Sequence, residues 1–170
     1  MTDITFVDEI DNIIGHGSKR EAVEKGIAHR IARIFLCNSK GEVLIQKRSS
    51  VTSNPNKWDQ SAAGHVDEGE TYEEAAHREL KEEVGAEGVE LKEIAKYFQE
   101  ETDERRRRRF NTLYTGVYDG TVIPDGDEVS DVKWISPTEL ESWMKERPEE
   151  FTQGSIRSFD ELRKQQQSQL

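Results

Sequence analysis

The stretch from Thr71 to Gly85 constrains this chain more than any other. Thr71 with Glu74 three residues on is a capping box, Tyr72, Ala76, Leu80 and Val84 form an i, i+4 apolar stripe, and Gly85 supplies a left-handed stop. A helix delimited in this way commits one face to a core. At ~100° per residue, Glu79, Glu82 and Glu83 fall within about one third of the circumference, beside that stripe. Like charges at i, i+3 and i+4 repel by about a few tenths of a kcal/mol per pair, so a purely structural helix would interleave lysines there. A divalent cation removes the conflict, although three glutamates alone also suit the solvated face of an acidic chain.

Carboxylate oxygens are hard ligands of the kind magnesium takes, and magnesium completes its octahedral shell from waters and substrate phosphates. The expected substrate therefore carries phosphate. Gly64 and Gly69 bracket a tight loop before the helix, which allows a backbone carbonyl to turn towards the same cation, while Arg78 can pair with Glu70 to brace loop against helix.

Around this unit the pattern is that of a mixed sheet. Ala28 to Leu36 and Val43 to Arg48 read as neighbouring strands joined by a hairpin turn at 38–41, and Trp58 to Ala63 as a short extended piece after a Ser/Thr/Asn/Pro loop. Further strands are expected at Val89 to Phe98, Phe110 to Tyr118 and Val129 to Ile135. Ser136 and Pro137 open a helix that Pro148 ends, and Ile156, Phe159 and Leu162 mark a last amphipathic one. The class expected is α/β (α+β), a mixed sheet sandwiched between helices, in one domain over residues 1–164 with a frayed glutamine-rich tail at 165–170.

Composition narrows the partners. With 35 acidic against 24 basic residues and a net charge of -11, the field repels polyanions and gives no reason to expect a nucleic-acid polymer as ligand. No stretch approaches the ~20 apolar residues of a membrane span, the amino end lacks signal-peptide character, and the single cysteine, Cys37, sits in an apolar strand without a disulfide partner, so a cytoplasmic protein is expected.

Residues 64–86, GHVDEGETYEEAAHRELKEEVGA, resemble the Nudix box: Gly64, five residues, Glu70, seven residues, Arg78-Glu79-Leu80, one residue, Glu82-Glu83, one residue, Gly85, and then Ala86 where a larger aliphatic residue is usual. The resemblance implies a Nudix fold and a pyrophosphohydrolase. It implies Glu79, Glu82 and Glu83 as catalytic metal ligands with the Gly64 carbonyl as a further ligand, and Glu70, Arg78 and Gly85 as residues that shape the box. The cofactor implied is Mg2+, for which Mn2+ can substitute, and the substrate a nucleoside di- or triphosphate or another nucleoside diphosphate derivative. The general base varies in this family, so Glu79 or Glu82 competes with Glu100, Glu101 and Glu104.

Within the superfamily, the opening of the chain resembles the branch that includes isopentenyl diphosphate isomerase, through Val7-Asp8-Glu9, Asn12 to Gly15, Lys19-Arg20-Glu21 and His29-Arg30. That isomerase has a reactive cysteine before the Gly-His pair and a Glu-x-Glu pair on a later strand. Here Ala63 precedes Gly64-His65, and the later stretch reads Arg107-Arg108-Arg109-Phe110-Asn111. Isomerase activity and a silent nucleotide-binding module stand as the alternatives to hydrolysis.

Substrate contacts are expected from Arg48, His65, Arg107 and Phe110. In the run Arg105 to Arg109, alternate arginines of a strand point to opposite faces and one set can fork onto phosphate, while pairing with Glu100, Glu101, Asp103 and Glu104 is the plainer use. Trp58, Tyr97, Phe98, Phe110 and Trp143 are the candidates for stacking on a base. A homodimer is expected, with the segment 1–25 packing across the partner.

Overall fold

The computed structural model describes residues 2–101 and 105–168. In chain order the elements are β1 (Ile4–Val7), β2 (Ile13–Gly17), α1 (Lys19–Lys25), β3 (Ala28–Cys37), β4 (Val43–Arg48), β5 (Trp58–Asp59), β6 (Ala62–His65), α2 (Tyr72–Val84), β7 (Lys92–Glu100), β8 (Arg108–Val117), β9 (Val129–Ile135), α3 (Pro137–Glu146) and α4 (Gln153–Ser168). The sheet is mixed: β3 and β8 run parallel from His29↔Arg109 to Cys37↔Val117, and the other ladders are antiparallel.

The helix α2 forms as its caps require. The Thr71 hydroxyl accepts from the Glu74 N–H and the Glu74 side chain accepts from the Thr71 N–H. At the other end Gly85 adopts φ 69°, and the N–H groups of Gly85 and Ala86 reach the carbonyls of Lys81 and Leu80, a Schellman closure. Its stripe of Ala76, Leu80 and Val84 packs on Ala32, Ile34 and Ala62 on one face of the sheet. On the opposite face, α3 and α4 bury Leu140, Phe159 and Leu162 against Phe35, Ile45 and Leu113. Alternation along β3 thus feeds two cores, with Ala32, Ile34 and Leu36 facing α2 and Phe35 facing α4.

The expected hairpin exists only at its turn. Asn38 and Glu42 pair and Gly41 sits at φ 79°, but β3 and β4 share a single ladder pair, Cys37↔Val43. Beyond it they diverge, because β6 takes residues 31–34 of β3 while β5 takes Gln46 and Lys47 of β4. The Ser61 side chain closes the gap: its hydroxyl accepts from the Leu36 N–H at 2.8 Å and donates to the Leu44 carbonyl at 2.6 Å. Ser61 is fully buried, so the Leu36 N–H and the Leu44 carbonyl are satisfied without water.

Three other expectations shift. The segment 1–25, expected across a partner, is used within the chain: β1 pairs with β2 and with β3, and Ile4 and Phe6 are buried with Ala22 of α1. The strand expected from Val89 starts at Lys92, since Val89 packs into the α2 core after the left-handed Gly88. Helix α4 continues through Gln165 to Ser168, where fraying was expected, with the Arg163 guanidinium donating to the Gln166 side chain. No helix of the described residues is long and apolar enough to cross a membrane.

Candidate active site

A cleft of about 730 Å³ gathers the box residues, the end of β6, the arginines of β3 and β8, and the amino end of α4. Its acidic wall comes from α2. Glu83 is 6% exposed, and its carboxylate accepts from the Gln46 side chain at 2.5 Å and the Ala63 N–H at 3.4 Å. Burial pushes Glu83 well above the usual carboxylate range, and the Glu79 charge pushes it further. Glu79 rises to about 7, chiefly from burial, against the opposing pull of Arg78. Glu82 stands at the mouth, 59% exposed. Glu128, just before β9, faces this wall from across the cleft and contributes to the rise at both Glu79 and Glu83.

Arg78 ties the wall to the preceding loop. Its Nε and Nη2 donate to the two Glu70 oxygens at 2.7 and 2.9 Å, Nη2 also reaches the His65 carbonyl at 2.9 Å, and Nη1 reaches Glu79 at 2.7 Å. Glu70 is held below the usual carboxylate range by that guanidinium, and it accepts from the Asp67 N–H as well. The brace read from the sequence is therefore present. Gly64 has a second reason to be glycine besides loop geometry. It is a β6 residue without a left-handed φ, and a Cβ there would overlap the Glu79 side chain.

The other wall is basic, and most of it was not anticipated. Arg33 of β3 and Arg109 of β8 line the cleft with Arg107, while Arg108 turns away and lies over Phe98. Arg107 and Arg109 both pair with Glu101, so the pairing with a neighbouring acid is present and one alternate set of the run reaches the cleft. Arg33 is a lone charge inside the apolar run 31–36, a signal present in the sequence but passed over. Asp59 and Gln60, at the β5–β6 step, were also missed, and nothing local marks them.

Arg48 lines the cleft, but its guanidinium is engaged by Asp59 at 3.2 Å and by the Ser53 carbonyl at 2.7 Å. His65 lines it too, stacked on His29 with ring centroids 5.3 Å apart. Burial drives both imidazoles to the neutral form, His29 to about 4. Phe110 does not line the cleft. It packs on Phe98 on the other face of the β7–β8 ladder, because it alternates with Arg109. The stacking candidates fare likewise: Trp58 and Trp143 pack edge to face on each other, Tyr97 is buried beneath Arg157, and no Phe, Tyr or Trp lines the cleft among the described residues. Of the loop bases, Glu101 is committed to arginines and Glu100 lies near Arg108 at 3.9 Å, outside the cleft, while Glu104 falls outside the described residues.

The acidic wall meets what a hard divalent cation requires. Glu79 and Glu83 are oxygen donors raised out of the normal range by dryness and mutual repulsion, and Glu82 adds a solvent-facing third.

Comparison with known proteins finds one family and several relatives. The NUDIX domain family matches residues 28–155. A Nudix hydrolase of Pseudomonas aeruginosa is 35% identical over 135 residues, 79% of this chain and 78% of that protein. A protein of Photorhabdus laumondii named isopentenyl-diphosphate Delta-isomerase 2 is 32% identical over 152 residues, 88% of this chain and 85% of that one. Among solved structures, DR0079 from Deinococcus radiodurans superposes with a TM-score of 0.71 at 29% identity, covering 85% of this chain and 89% of that one.

Proposed function

Because the chain belongs to the NUDIX family and is a hydrolase of pyrophosphate bonds, we propose that it cleaves a phosphoanhydride in a small nucleotide-like diphosphate, with magnesium as cofactor. The observation that carries this reading is the acidic wall: Glu79, Glu82 and Glu83 face one cleft, and two of them are buried with raised proton affinity.

In this reading Glu79, Glu82 and Glu83 hold the cation, and Gly64, whose backbone lies against Glu79, adds its carbonyl. A cation bound there supplies Lewis-acid stabilisation of phosphate charge and lowers the pKa of water. The chain's own residues set the geometry. Gln46 and the Ala63 N–H fix the Glu83 carboxylate, Arg78 fixes Glu79, and Glu82, the most exposed of the three, is placed to take a proton from the attacking water. Glu101 is set aside as base because its two carboxylate oxygens are occupied by the Arg107 and Arg109 guanidinium groups. With no Phe, Tyr or Trp in the described lining, the substrate is gripped through phosphates and hydroxyls rather than through a base stacked on such a ring.

A second reading has the name of the Photorhabdus relative in its favour, namely isomerisation of isopentenyl diphosphate. Against it, Cys37 lies in β3 beside Thr115 and no thiol lines the cleft among the described residues, while Arg107 and Arg109 stand where that branch carries carboxylates. The test is a phosphate-release screen over nucleoside di- and triphosphates, dinucleotides, nucleotide sugars and isopentenyl diphosphate, with and without magnesium. Metal-dependent release that disappears in Glu83→Gln is expected. Double-bond migration without phosphate release overturns the reading in favour of the isomerase, and nucleotide binding without any product overturns it in favour of a silent module.

A further inference from the structure

Arg33 is 4% exposed, yet no described carboxylate pairs with it. Its Nε donates to the Asn111 side-chain oxygen at 2.7 Å and its Nη1 to the Gln60 side-chain oxygen at 3.2 Å, both neutral amides. A guanidinium taken out of water without a counter-charge is costly, by several kcal/mol in a dry interior. Arg109 stands in the same place from the adjacent strand. It shares Glu101 with Arg107, and its Nε is buried with no hydrogen-bond partner among the described residues. Mutual repulsion is felt: Arg109 is lowered to about 10, chiefly by burial and then by the charges of Arg33 and Arg107.

The surroundings relieve this charge only in part, through Glu101 and Asp59. Thr152 to Gly154, at the amino end of the 16-residue α4, line the same cleft with no acidic residue in the first turn, so the positive end of that helix adds to the field. Gly154 lies so close that a Cβ on it would stand 2.5 Å from Arg33 Nη1 and 2.9 Å from Nη2. Asp59 is the other acid near by, and it is engaged by Arg48, by the Gln60 side chain and by the Thr152 hydroxyl. The neutral His29–His65 stack borders the arginines and brings no negative charge.

We infer that Arg33, Arg107, Arg109 and the first turn of α4 form an anion subsite that receives a second phosphate group of the substrate, at the end remote from the bond that is cut. The subsite and the acidic wall belong to one cleft but to opposite faces of β6: Gly64 looks towards Glu79, whereas Ala63, its neighbour in the strand, is the ladder partner of Arg33. A substrate that fits both carries its diphosphate against the box and a phosphate monoester beyond β6. This deepens the hydrolase reading and rests on it for the word substrate, although the anion site itself does not.

The test uses the full chain in EDTA, titrated with inorganic phosphate by calorimetry. Wild type is expected to bind one phosphate. Arg109→Gln is expected to weaken binding at least roughly tenfold, as loss of a charge-assisted contact does, while Lys81→Gln, which removes a positive charge on the outer surface, leaves it unchanged. Glu101→Gln removes the carboxylate that pairs with Arg109 and is expected to tighten binding, a gain that misfolding cannot imitate. Absence of phosphate binding, equal binding in Arg109→Gln and Lys81→Gln, or no gain in Glu101→Gln overturns the subsite. With magnesium added, Arg109→Gln should raise KM for diphosphates bearing a remote phosphate and leave KM for those lacking one. If no diphosphate is turned over while phosphate binding still depends on Arg109, the hydrolase reading fails and the subsite stands; turnover with a KM indifferent to Arg109 does the reverse.

Discussion

Replacing Gly64 with alanine tests the acidic wall by geometry alone. The backbone at Gly64 is not left-handed, so alanine is conformationally allowed and costs little in the strand. What it meets is Glu79: the new Cβ would stand 2.7 Å from the Glu79 Cγ and closer still to the carboxylate, against an ordinary contact of 3.4 Å or more. Taking 3.4 less 2.7, the Cγ must retreat by at least 0.7 Å, and the carboxylate further, which also breaks its 2.7 Å bond to Arg78. A misplacement of about 1 Å in a catalytic constellation costs on the order of 100-fold in rate, or about 2.7 kcal/mol. Gly64→Ala should therefore lose roughly that factor in kcat/KM, need more magnesium for half-maximal rate, and melt within a few degrees of wild type. Steady-state phosphate release against magnesium concentration, with circular dichroism melts alongside, measures all three. A variant within twofold of wild type at every metal concentration would show that Glu79 does not hold the position assigned to it.

Proton and metal compete for the same carboxylates. Glu79 titrates near 7 in the folded protein against an ordinary 4.5, so between those values the native state binds the extra proton and metal-free stability falls as pH rises. The buried neutral His29 and His65 act in the opposite sense up to their ordinary value of 6.5, so melts in EDTA should drop between about pH 6.5 and 8 while magnesium restores stability mainly at the higher pH; a magnesium effect of the same size at both would refute the linkage. Leu80→Ala removes a fully buried side chain beneath α2 and should cost about 2–5 kcal/mol in denaturant unfolding. Phe110→Ala should lower stability by about 1–3 kcal/mol yet leave KM unchanged in the release assay, since the ring packs on Phe98 away from the cleft; a raised KM would return Phe110 to the substrate.

What could be read in advance follows how local the cause is. The capping box of α2, its stripe and its glycine stop are decided within one helix, and β9 likewise announces itself by its own β-branched and aromatic residues. The Glu79–Glu82–Glu83 face follows from helical pitch, and the Arg78–Glu70 pairing from the same unit. The splitting of β3 from β4 is not local, because it depends on the hydroxyl of a serine that lies 25 and 17 residues along the chain from the two backbones it bridges. The arginine wall is half legible: alternation along Arg107, Arg108 and Arg109 is a strand property, but the parallel ladder that sets Arg33 beside β8 is formed only by the folded chain. Phe110 was misplaced by residue type, since an aromatic side chain suggests a ligand wherever a cleft is expected and burial against another ring is the commoner use.

Ser61 gives the molecule a seam. A sheet that opens between neighbouring strands normally leaves unpaired edges that invite water or another chain, and here one hydroxyl stitches both margins, accepting from the Leu36 N–H at 2.8 Å and donating to the Leu44 carbonyl at 2.6 Å. That aperture is framed by backbone, not by loops. Loops at its rim can vary in length or sequence without changing its width, because the two strands that frame it are held from inside the sheet by one side chain.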